Sequence, residues 1–371
     1  MKCLFFRTFL MSNVVLALLT GCSHSLQQTQ QTQQTQQTQQ ASATTLSQPS
    51  ASTPQCPTSP PRPEKPSQLK RFLLGEANDS CPILQQGRGT LLLMGGGPDV
   101  DDAFKLRLAP QIQQGNIVVL RARGGAGYNQ YLQELTGAAS VETLIVDSRE
   151  KANSDYVWHA ISHAEAVFIA GGDQSAYLNF WQQTRLATAL QQLYQRGGML
   201  GGTSAGLHVL GQYIYDPQAQ EGAISREVVK NICHPSLQIS QDFLQLPVLR
   251  NTLTDSHVKQ RDRLGRSALF QAILGIKGQV IAVSEQTSLF IDADGRAVVD
   301  GAHEVYLLKA DQHTKYGPAQ CGQPFQVEQL LRYRLAAGDY VHFSTGQSNV
   351  APIRMSVNGA ESSFYQPVRP Y

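Results

Sequence analysis

The sequence has little net charge and no loop of the kind that binds nucleotides. Only 16% of its 371 residues are charged, and the formal net charge is +2. Such a balance gives no electrostatic reason to expect a nucleic-acid partner. The three glycines at 95–97 lack the Gly-Lys-[Ser/Thr] ending of a phosphate loop, and the G-x-G-x-x-G spacing fails at Val100. Nucleic acid and nucleotides are therefore excluded as expected partners.

Cysteine is scarce, and its spacing matches no metal site. Apart from Cys3 and Cys22 near the N-terminus, the cysteines are Cys56, Cys81, Cys233 and Cys321. In an oxidising compartment these four could form two disulfides, in three connectivities that the sequence does not distinguish. None of them stands in the context of a nucleophile. The sequence therefore predicts neither a metal site nor a cofactor.

The apolar run at the N-terminus is too short to be a convincing membrane span. A basic start precedes an apolar stretch at 9–19, and residues 19–22 read Leu-Thr-Gly-Cys. This pattern is typical of an export signal. Its ending resembles a bacterial lipobox, in which cleavage leaves Cys22 lipidated; a plain signal peptide with an incidental cysteine is the alternative. We expect an exported protein held on a lipid bilayer by acylated Cys22, with Ser23 favouring the outer membrane and the periplasmic or extracellular face left open.

Residues 23–69 lack the apolar side chains that a folded core requires. Threonine recurs every third residue from Thr29 to Thr38 in a glutamine background, and a stretch rich in Ser, Ala, Thr and Pro follows. We predict a signal peptide at 1–22, a disordered tether at 23–69 and one folded domain at 70–371. A glutamine-rich interaction segment is the alternative for the tether.

From residue 70 onward, buried-strand runs alternate with helix-like segments. Strands are predicted from apolar runs at 90–94, 117–122, 141–146, 166–170 and 199–200. Continuous apolar strands joined by helices indicate an α/β fold with a mostly parallel central sheet, covered on both faces. In such sheets the functional groups collect at the carboxyl ends of the strands. Residues 289–308 and 340–343 add β-hairpins towards the C-terminus.

A serine between small residues follows the last of these strands. Residues 202–206 read Gly-Thr-Ser-Ala-Gly, and a helix-like run begins at Leu207. This arrangement predicts a nucleophile elbow, in which Ser204 projects from the top of the sheet. The N–H of Ala205, at the start of the helix, would then donate to an oxyanion. The same pentapeptide also arises by chance in glycine-rich turns.

A second glycine corner, Gly-Gly-Asp-Gln at 171–174, ends the strand before it. The N–H of Gly172 or Asp173 could complete the oxyanion hole opposite Ala205. Gln174 could orient an amide or carboxylate of a substrate. A loop that merely turns the chain is the alternative.

One histidine lies within a series of arginines. His257 is the best candidate for a general base, with Asp255 two residues before it. If a helix begins near Gln260, Arg263 and Arg266 share one face and suit the capture of a carboxylate. A solvated basic face is the alternative. Further on, Glu285 ends a strand at 279–284, which we expect at the rim of the same sheet, where a carboxylate would hold the imidazole tautomer. An ordinary exposed acid at the rim is the alternative.

Together these segments resemble the cyanophycinase branch of the peptidase E-like serine peptidases, over about residues 90–300. The resemblance implies a flavodoxin-like α/β/α sandwich of the class I glutamine amidotransferase type. It also implies a Ser-His-Glu triad formed by Ser204, His257 and Glu285, with Asp255 as the alternative acid. The family includes enzymes that cleave cyanophycin, a poly-aspartate with arginine on each β-carboxyl, into β-Asp-Arg dipeptides. In the substrate groove the resemblance places Gln174, Asp255, Arg261, Arg263 and Arg266.

The chain departs from the family pattern at three places. The usual Asp-Gln-His is Asp-Ser-His at 255–257, the small residues after the elbow are Leu207 and His208, and Gly-Ile-Asp-Glu is Ala-Val-Ser-Glu at 282–285. The substrate is therefore less well determined than the mechanism. A hydrolase of other acidic or isoaspartyl dipeptides, an esterase and an inactive surface-binding homologue stay open, as does the oligomeric state, with a homodimer one arrangement.

Overall fold

The computed structural model describes residues 61–76, 88–218, 220 and 222–371. The predicted signal peptide, most of the tether, and Cys22, Cys56 and Cys81 lie outside these residues. Within them, ordered contacts begin before the expected boundary at Lys70. Leu69 is buried, and the Arg62 guanidinium forms an ion pair with Glu142. No helix among the described residues is long and apolar enough to cross a membrane.

The folded part alternates strands and helices up to residue 274 and then becomes rich in strands. The strands are β1 (Lys70–Gly75), β2 (Thr90–Met94), β3 (Asn116–Arg121), β4 (Ser140–Ile145), β5 (Ala166–Ile169), β6 (Met199–Thr203), β7 (Tyr213–Tyr215), β8 (Ile239–Gln241), β9 (Thr252–Asp255), β10 (Gln279–Val283), β11 (Thr287–Ile291), β12 (Arg296–Gly301), β13 (Val305–Lys309), β14 (Lys315–Tyr316), β15 (Gln326–Leu335), β16 (Tyr340–His342), β17 (Ile353–Asn358) and β18 (Tyr365–Gln366).

The helices are short, and most of them lie between strands of the first half. They are α1 (Asp101–Ala103), α2 (Ala109–Ile112), α3 (Asn129–Thr136), α4 (Arg149–Ala152), α5 (Asp155–Ser162), α6 (Gln174–Trp181), α7 (Arg185–Gln195), α8 (Ala205–His208), α9 (Ser225–Val228) and α10 (Leu264–Leu274). A π-helical turn, Phe104–Leu108, joins α1 to α2, and a 3₁₀ turn spans Pro247–Leu249.

The first sheet has a parallel centre flanked by antiparallel strands. Its order is β1-β4-β3-β5-β6-β2-β11-β12-β16. Strands β4, β3, β5, β6 and β2 run parallel to their neighbours within this group, whereas β1 and β11 pair antiparallel at its two sides. Parallel strands need crossover connections, which the helices between them supply. The predicted, mostly parallel central sheet is confirmed.

Both faces of this sheet are buried, as the continuous apolar strands predict. Along β2, Leu91 and Leu93 pack into a core with α5, α6 and α7. The alternate residues Leu92 and Met94 pack into a second core with Phe104 and α3. Successive side chains of a strand point to opposite faces, so the two cores lie on opposite sides of the sheet. The predicted α/β/α sandwich is therefore confirmed.

The later strands form more than the expected hairpins. A second sheet has the order β18-β17-β15-β13-β10-β9-β7-β8, with β14 paired to β15, while β11, β12 and β16 extend the first sheet. Strand β10 belongs to the second sheet and pairs parallel with β9, so the expectation that Glu285 ends a strand of the first sheet was wrong. An apolar run shows that a strand is buried, but the partner strand is selected by long-range packing.

A disulfide joins Cys233 to Cys321, with the two Cα atoms 5.2 Å apart. The sequence left this pairing open, because all four cysteines were equally eligible partners. The bond closes a loop between residues 88 positions apart. Closing a long loop lowers the entropy of the unfolded chain, so the bond stabilises this part of the fold.

Candidate active site

Ser204 lies at a sharp corner between β6 and α8. Its φ is 54° and its ψ is −115°, a region that residues with a side chain rarely adopt. The corner depends on close backbone approach: a Cβ at Gly206 would lie 2.0 Å from the Ile169 carbonyl oxygen, and one at Gly202 would lie 2.4 Å from the Gly206 backbone. Strain of this kind costs about 1–3 kcal/mol and concentrates at functional sites.

Three side chains predicted to act together form a continuous hydrogen-bonded series. Ser204 Oγ lies 2.7 Å from His257 Nε2, and His257 Nδ1 lies 2.6 Å from Glu285 Oε1. Ser204 follows a strand of the first sheet, whereas His257 and Glu285 follow β9 and β10 of the second. The site therefore lies where the carboxyl ends of strands from both sheets meet.

The glycine turn at 95–97, after β2, holds these two groups of residues together. The N–H of His257 donates to the Gly95 carbonyl at 2.9 Å. A Cβ at Gly96 would lie 2.3 Å from the His257 ring, and one at Gly97 would lie 3.0 Å from the Glu285 carboxylate. From the sequence we expected no phosphate loop at this turn and assigned no site residue to it. Its role is steric, because it leaves space for the imidazole.

The corner at 171–174 faces the serine, as expected. A Cβ at Gly171 would lie 3.5 Å from the Ser204 Cβ, and Gly172 lines the cavity that contains Ser204. Ala205 is the first residue of α8, so its N–H belongs to the first-turn groups that have no carbonyl partner within the helix. This placement is compatible with the predicted oxyanion hole.

A cavity of about 410 Å³ opens above Ser204 and His257. Of the predicted substrate-binding residues, Gln174, Arg261 and Arg263 line it, and the Gln174 side chain donates to the Tyr215 carbonyl at 3.2 Å. The sequence predicted no substrate contact for the other polar lining residues Arg123, Asp173, His208, Tyr215, Gln220 and Ser256. Asp173 and Arg123 follow strand ends, and His208 and Ser256 stand where the chain departs from the family pattern, whereas Tyr215 and Gln220 carry no motif that could have revealed them.

Comparison with known proteins finds similarity to peptidases. The model of peptidase family S51 matches residues 125–299. The cyanophycinase of Synechococcus elongatus is 26% identical over 227 residues, covering 60% of this chain and 66% of that protein. The cyanophycinase of Trichormus variabilis is 27% identical over 222 residues, covering 59% of this chain and 70% of the relative. The chain is therefore similar to the cyanophycinase-like branch of the peptidase E-like serine peptidases.

The chain spans just under two thirds of the length of the Synechococcus relative. Among solved structures, a peptidase from an acI-B1 actinobacterium aligns with 69% of this chain and over 98% of its own length, with a TM-score of 0.48 and 18% identity.

Two of the predicted substrate-binding residues lie outside the cavity. Asp255 and Arg266 are 0% exposed and form a buried ion pair with each other, so the expectation that they line the groove was wrong. Helix α10 begins at Leu264 rather than near Gln260. Arg266 therefore points inward from the first turn, whereas Arg263, just before the helix, reaches the cavity.

The Asp255–Arg266 pair is fully hydrogen-bonded. Arg266 Nη1 donates to the Ala223 carbonyl at 2.8 Å, and the Ser267 hydroxyl donates to the Asp255 carboxylate at 2.9 Å. Burial is the largest single influence and would raise the pKa of Asp255, but the charge and hydrogen bond of Arg266, together with other neighbouring charges such as Arg263, hold this pKa below its usual range. The pair is structural, and Glu285 rather than Asp255 contacts the imidazole of His257.

His257 is poised to be neutral near pH 7. Burial is the largest cause that lowers its pKa below 6.5, the positive charges of Arg261 and Arg263 add to the effect, and the hydrogen bond to Glu285 opposes it. A neutral imidazole can accept the proton of Ser204, whereas an imidazolium cannot.

We expect the reactivity of Ser204 to rise with pH through a pKa below 6.5 and to be level at neutral pH. Arg261→Gln should move this acid limb to higher pH, because removing a nearby positive charge stabilises the imidazolium. The rate at which a fluorophosphonate labels Ser204, followed from about pH 4 to about pH 8, gives the apparent pKa of this acid limb, the part of the profile where reactivity falls with falling pH. Lys277→Gln, which neutralises an exposed lysine, is the matched control. An unchanged or lowered limb in Arg261→Gln would contradict the assignment of His257 as the base.

Proposed function

We propose that this peptidase hydrolyses cyanophycin to β-Asp-Arg dipeptides through Ser204, His257 and Glu285. The observation that carries the proposal is the unbroken series of hydrogen bonds from the Ser204 hydroxyl to the Glu285 carboxylate, at the base of an open cavity. The relatives that carry the name cyanophycinase support this choice of substrate.

In the proposed reaction, His257 takes the proton of Ser204 as Oγ attacks a main-chain amide carbonyl. Glu285 holds the imidazole in the required tautomer and stabilises the imidazolium, while the N–H groups of Ala205 and Gly172 stabilise the oxyanion. The C–N bond then breaks, and His257 gives its proton to the leaving amine. Water, deprotonated by His257, hydrolyses the acyl-enzyme, which releases a carboxylate and restores the Ser204 hydroxyl.

The charges around the cavity suit a substrate that carries both signs. Arg263 is 7% exposed, and no carboxylate of the described residues lies within ion-pair distance of it. Burying a positive charge without a carboxylate beside it is costly. This guanidinium therefore favours an anionic ligand such as the free carboxylate of a substrate arginine. Asp173, which also accepts a hydrogen bond from the Ser175 N–H at 2.9 Å, adds a negative charge that complements the substrate guanidinium.

Incubation of the purified full chain with insoluble cyanophycin tests the proposal. Release of β-Asp-Arg dipeptides, identified by mass, is the expected result. Cleavage of α-linked acidic dipeptides with no product from cyanophycin would favour the alternative peptidase. Failure of a fluorophosphonate to label Ser204 would favour an inactive surface-binding homologue.

We also propose that the chain is exported and anchored to the cell envelope through acylated Cys22. The support is the sequence of residues 1–22 together with the cystine Cys233–Cys321, a bond that persists in oxidising compartments. The mass of the N-terminal peptide of the mature protein tests this proposal. An acylated Cys22 is expected, and a mature chain that begins elsewhere would reject the anchor.

A further inference from the structure

Two residues at which the chain departs from the family pattern are in contact with each other. His208 ends α8, one turn after the nucleophile, and Ser256 follows β9 directly before His257. His208 Nε2 lies 3.0 Å from Ser256 Oγ. Both residues line the cavity that contains Ser204. The contact therefore joins the two sheets at the floor of the site.

His208 is a neutral imidazole. Burial lowers its pKa to about 3, and the positive charges of Arg266 and Arg263 reinforce this effect against the opposing charge of Asp255. A neutral imidazole carries one N–H, on either Nδ1 or Nε2. Its ring is only 3% exposed, so whichever nitrogen carries the proton needs an acceptor within the protein.

The surroundings of the ring select the nitrogen that carries the proton. His208 Nδ1 is buried and has no hydrogen-bond partner among the described residues. Nε2 faces Ser256 Oγ and lies 3.8 Å from the Asp255 carboxylate. A proton on Nδ1 would be a buried donor without an acceptor, whereas a proton on Nε2 has one and also faces a negative charge. His208 therefore donates from Nε2 to Ser256 Oγ.

This assignment leaves the Ser256 hydroxyl proton free for another acceptor. The N–H of Ser256 donates to Asp255 at 2.8 Å, and its carbonyl accepts from Arg263 Nη1 at 3.2 Å. The neighbouring Arg263 Nε is buried and has no partner within the described chain. Two adjacent groups at the floor of the cavity, the Ser256 hydroxyl and the Arg263 guanidinium, thus each keep a donor that has no acceptor among the described residues.

We propose that Ser256 is a specificity-determining residue that donates a hydrogen bond to the substrate carboxylate bound by Arg263, and that His208 is the residue that positions its hydroxyl. A carboxylate offers enough lone pairs to accept from both donors at once. A carboxamide in its place has one acceptor oxygen and presents an NH₂ group to the second donor. The proposal rests on the proposed function and identifies the group of the substrate that the site selects.

The test compares short cyanophycin segments with segments in which the arginine carboxyl is a carboxamide. Ser256→Ala should raise KM for the carboxylate substrate about tenfold with little change in kcat, because a hydrogen bond to a charged group is lost. The preference for carboxylate over carboxamide should fall by the same factor. His208→Leu should have the same effect on KM and on the preference. The double variant of Ser256→Ala and His208→Leu should lose no more of the preference than either single variant. His208→Gln should keep the preference, because its amide can donate to Ser256 Oγ.

Ser284→Ala is the matched control, since Ser284 is a buried serine directly after β10 that is not part of the cavity lining. It should leave KM and the preference unchanged. Equal losses for carboxylate and carboxamide in Ser256→Ala, or a loss confined to kcat, would overturn the proposal.

Calorimetric titration of β-Asp-Arg and its carboxamide into the Ser204→Ala protein separates this proposal from the proposed function. A carboxylate preference that Ser256→Ala removes supports the subsite even where cyanophycin is not cleaved. The same affinity for both ligands, with Ser256 present, rejects the subsite even where cyanophycin is cleaved.

Discussion

Ser204→Ala should lower the turnover of cyanophycin by a factor on the order of 10³–10⁶ while the protein stays folded. The variant removes the oxygen that attacks the carbonyl and that lies 2.7 Å from His257. It leaves the backbone of the elbow and the cores on both sides of the sheet unchanged. The measurement is kcat for dipeptide release, beside the thermal unfolding midpoint of both proteins.

Ser204→Gly is the matched control for the strained corner. Glycine adopts a φ of 54° without steric cost, so this variant should be as inactive as Ser204→Ala and at least as stable as the parent. Fluorophosphonate labelling should be absent from both variants. Full peptidase activity in either one would mean that another residue is the nucleophile.

Glu285→Gln and Asp255→Asn should have opposite effects on activity and stability. Glu285→Gln should lower kcat by about 10⁴, because an amide facing Nδ1 no longer selects the tautomer or stabilises the imidazolium. The Glu285 side chain is 23% exposed, so the folded state should lose little stability. Denaturant unfolding together with steady-state kinetics measures both quantities.

Asp255→Asn should instead lower the free energy of unfolding by about 3–5 kcal/mol, because it leaves the Arg266 charge buried without its partner. Both side chains are 0% exposed. Any loss of activity should be proportional to the loss of folded protein. A stable Asp255→Asn protein with a large loss of kcat, beside an active Glu285→Gln protein, would make Asp255 the catalytic acid.

Local sterics explain why the elbow could be predicted. The small residues around Ser204 are needed because a Cβ at Gly202 or Gly206 would overlap backbone atoms, and this requirement leaves a short pattern in the sequence. The apolar runs of the parallel strands are local in the same sense, because both of their faces are buried. The fold and the positions of Ser204 and Glu285 at strand ends could therefore be predicted, whereas no strand was predicted before His257.

The start of α10 shows where local patterns were insufficient. A helix beginning near Gln260 would place Arg263 and Arg266 on one face, but the helix begins at Leu264. Arg266 is instead buried, because its guanidinium pairs with Asp255, which lies eleven residues away in the chain. The ion pair with Asp255 at the end of β9, rather than the helical spacing, explains why Arg266 is buried whereas Arg263 reaches the cavity.

The sequence by itself determined which residues can carry the chemistry, the α/β class of the fold and the strand ends at which Ser204 and Glu285 lie. Only the tertiary structure decided that β9 and β10 belong to a second sheet, which cysteine pairs with Cys233, and that His208 meets Ser256. The physical reason is the distance along the chain over which each interaction acts. Steric limits and strand burial act on neighbouring residues and therefore leave local patterns in the sequence. Strand partners, ion pairs and side-chain contacts between sheets depend on packing between distant segments.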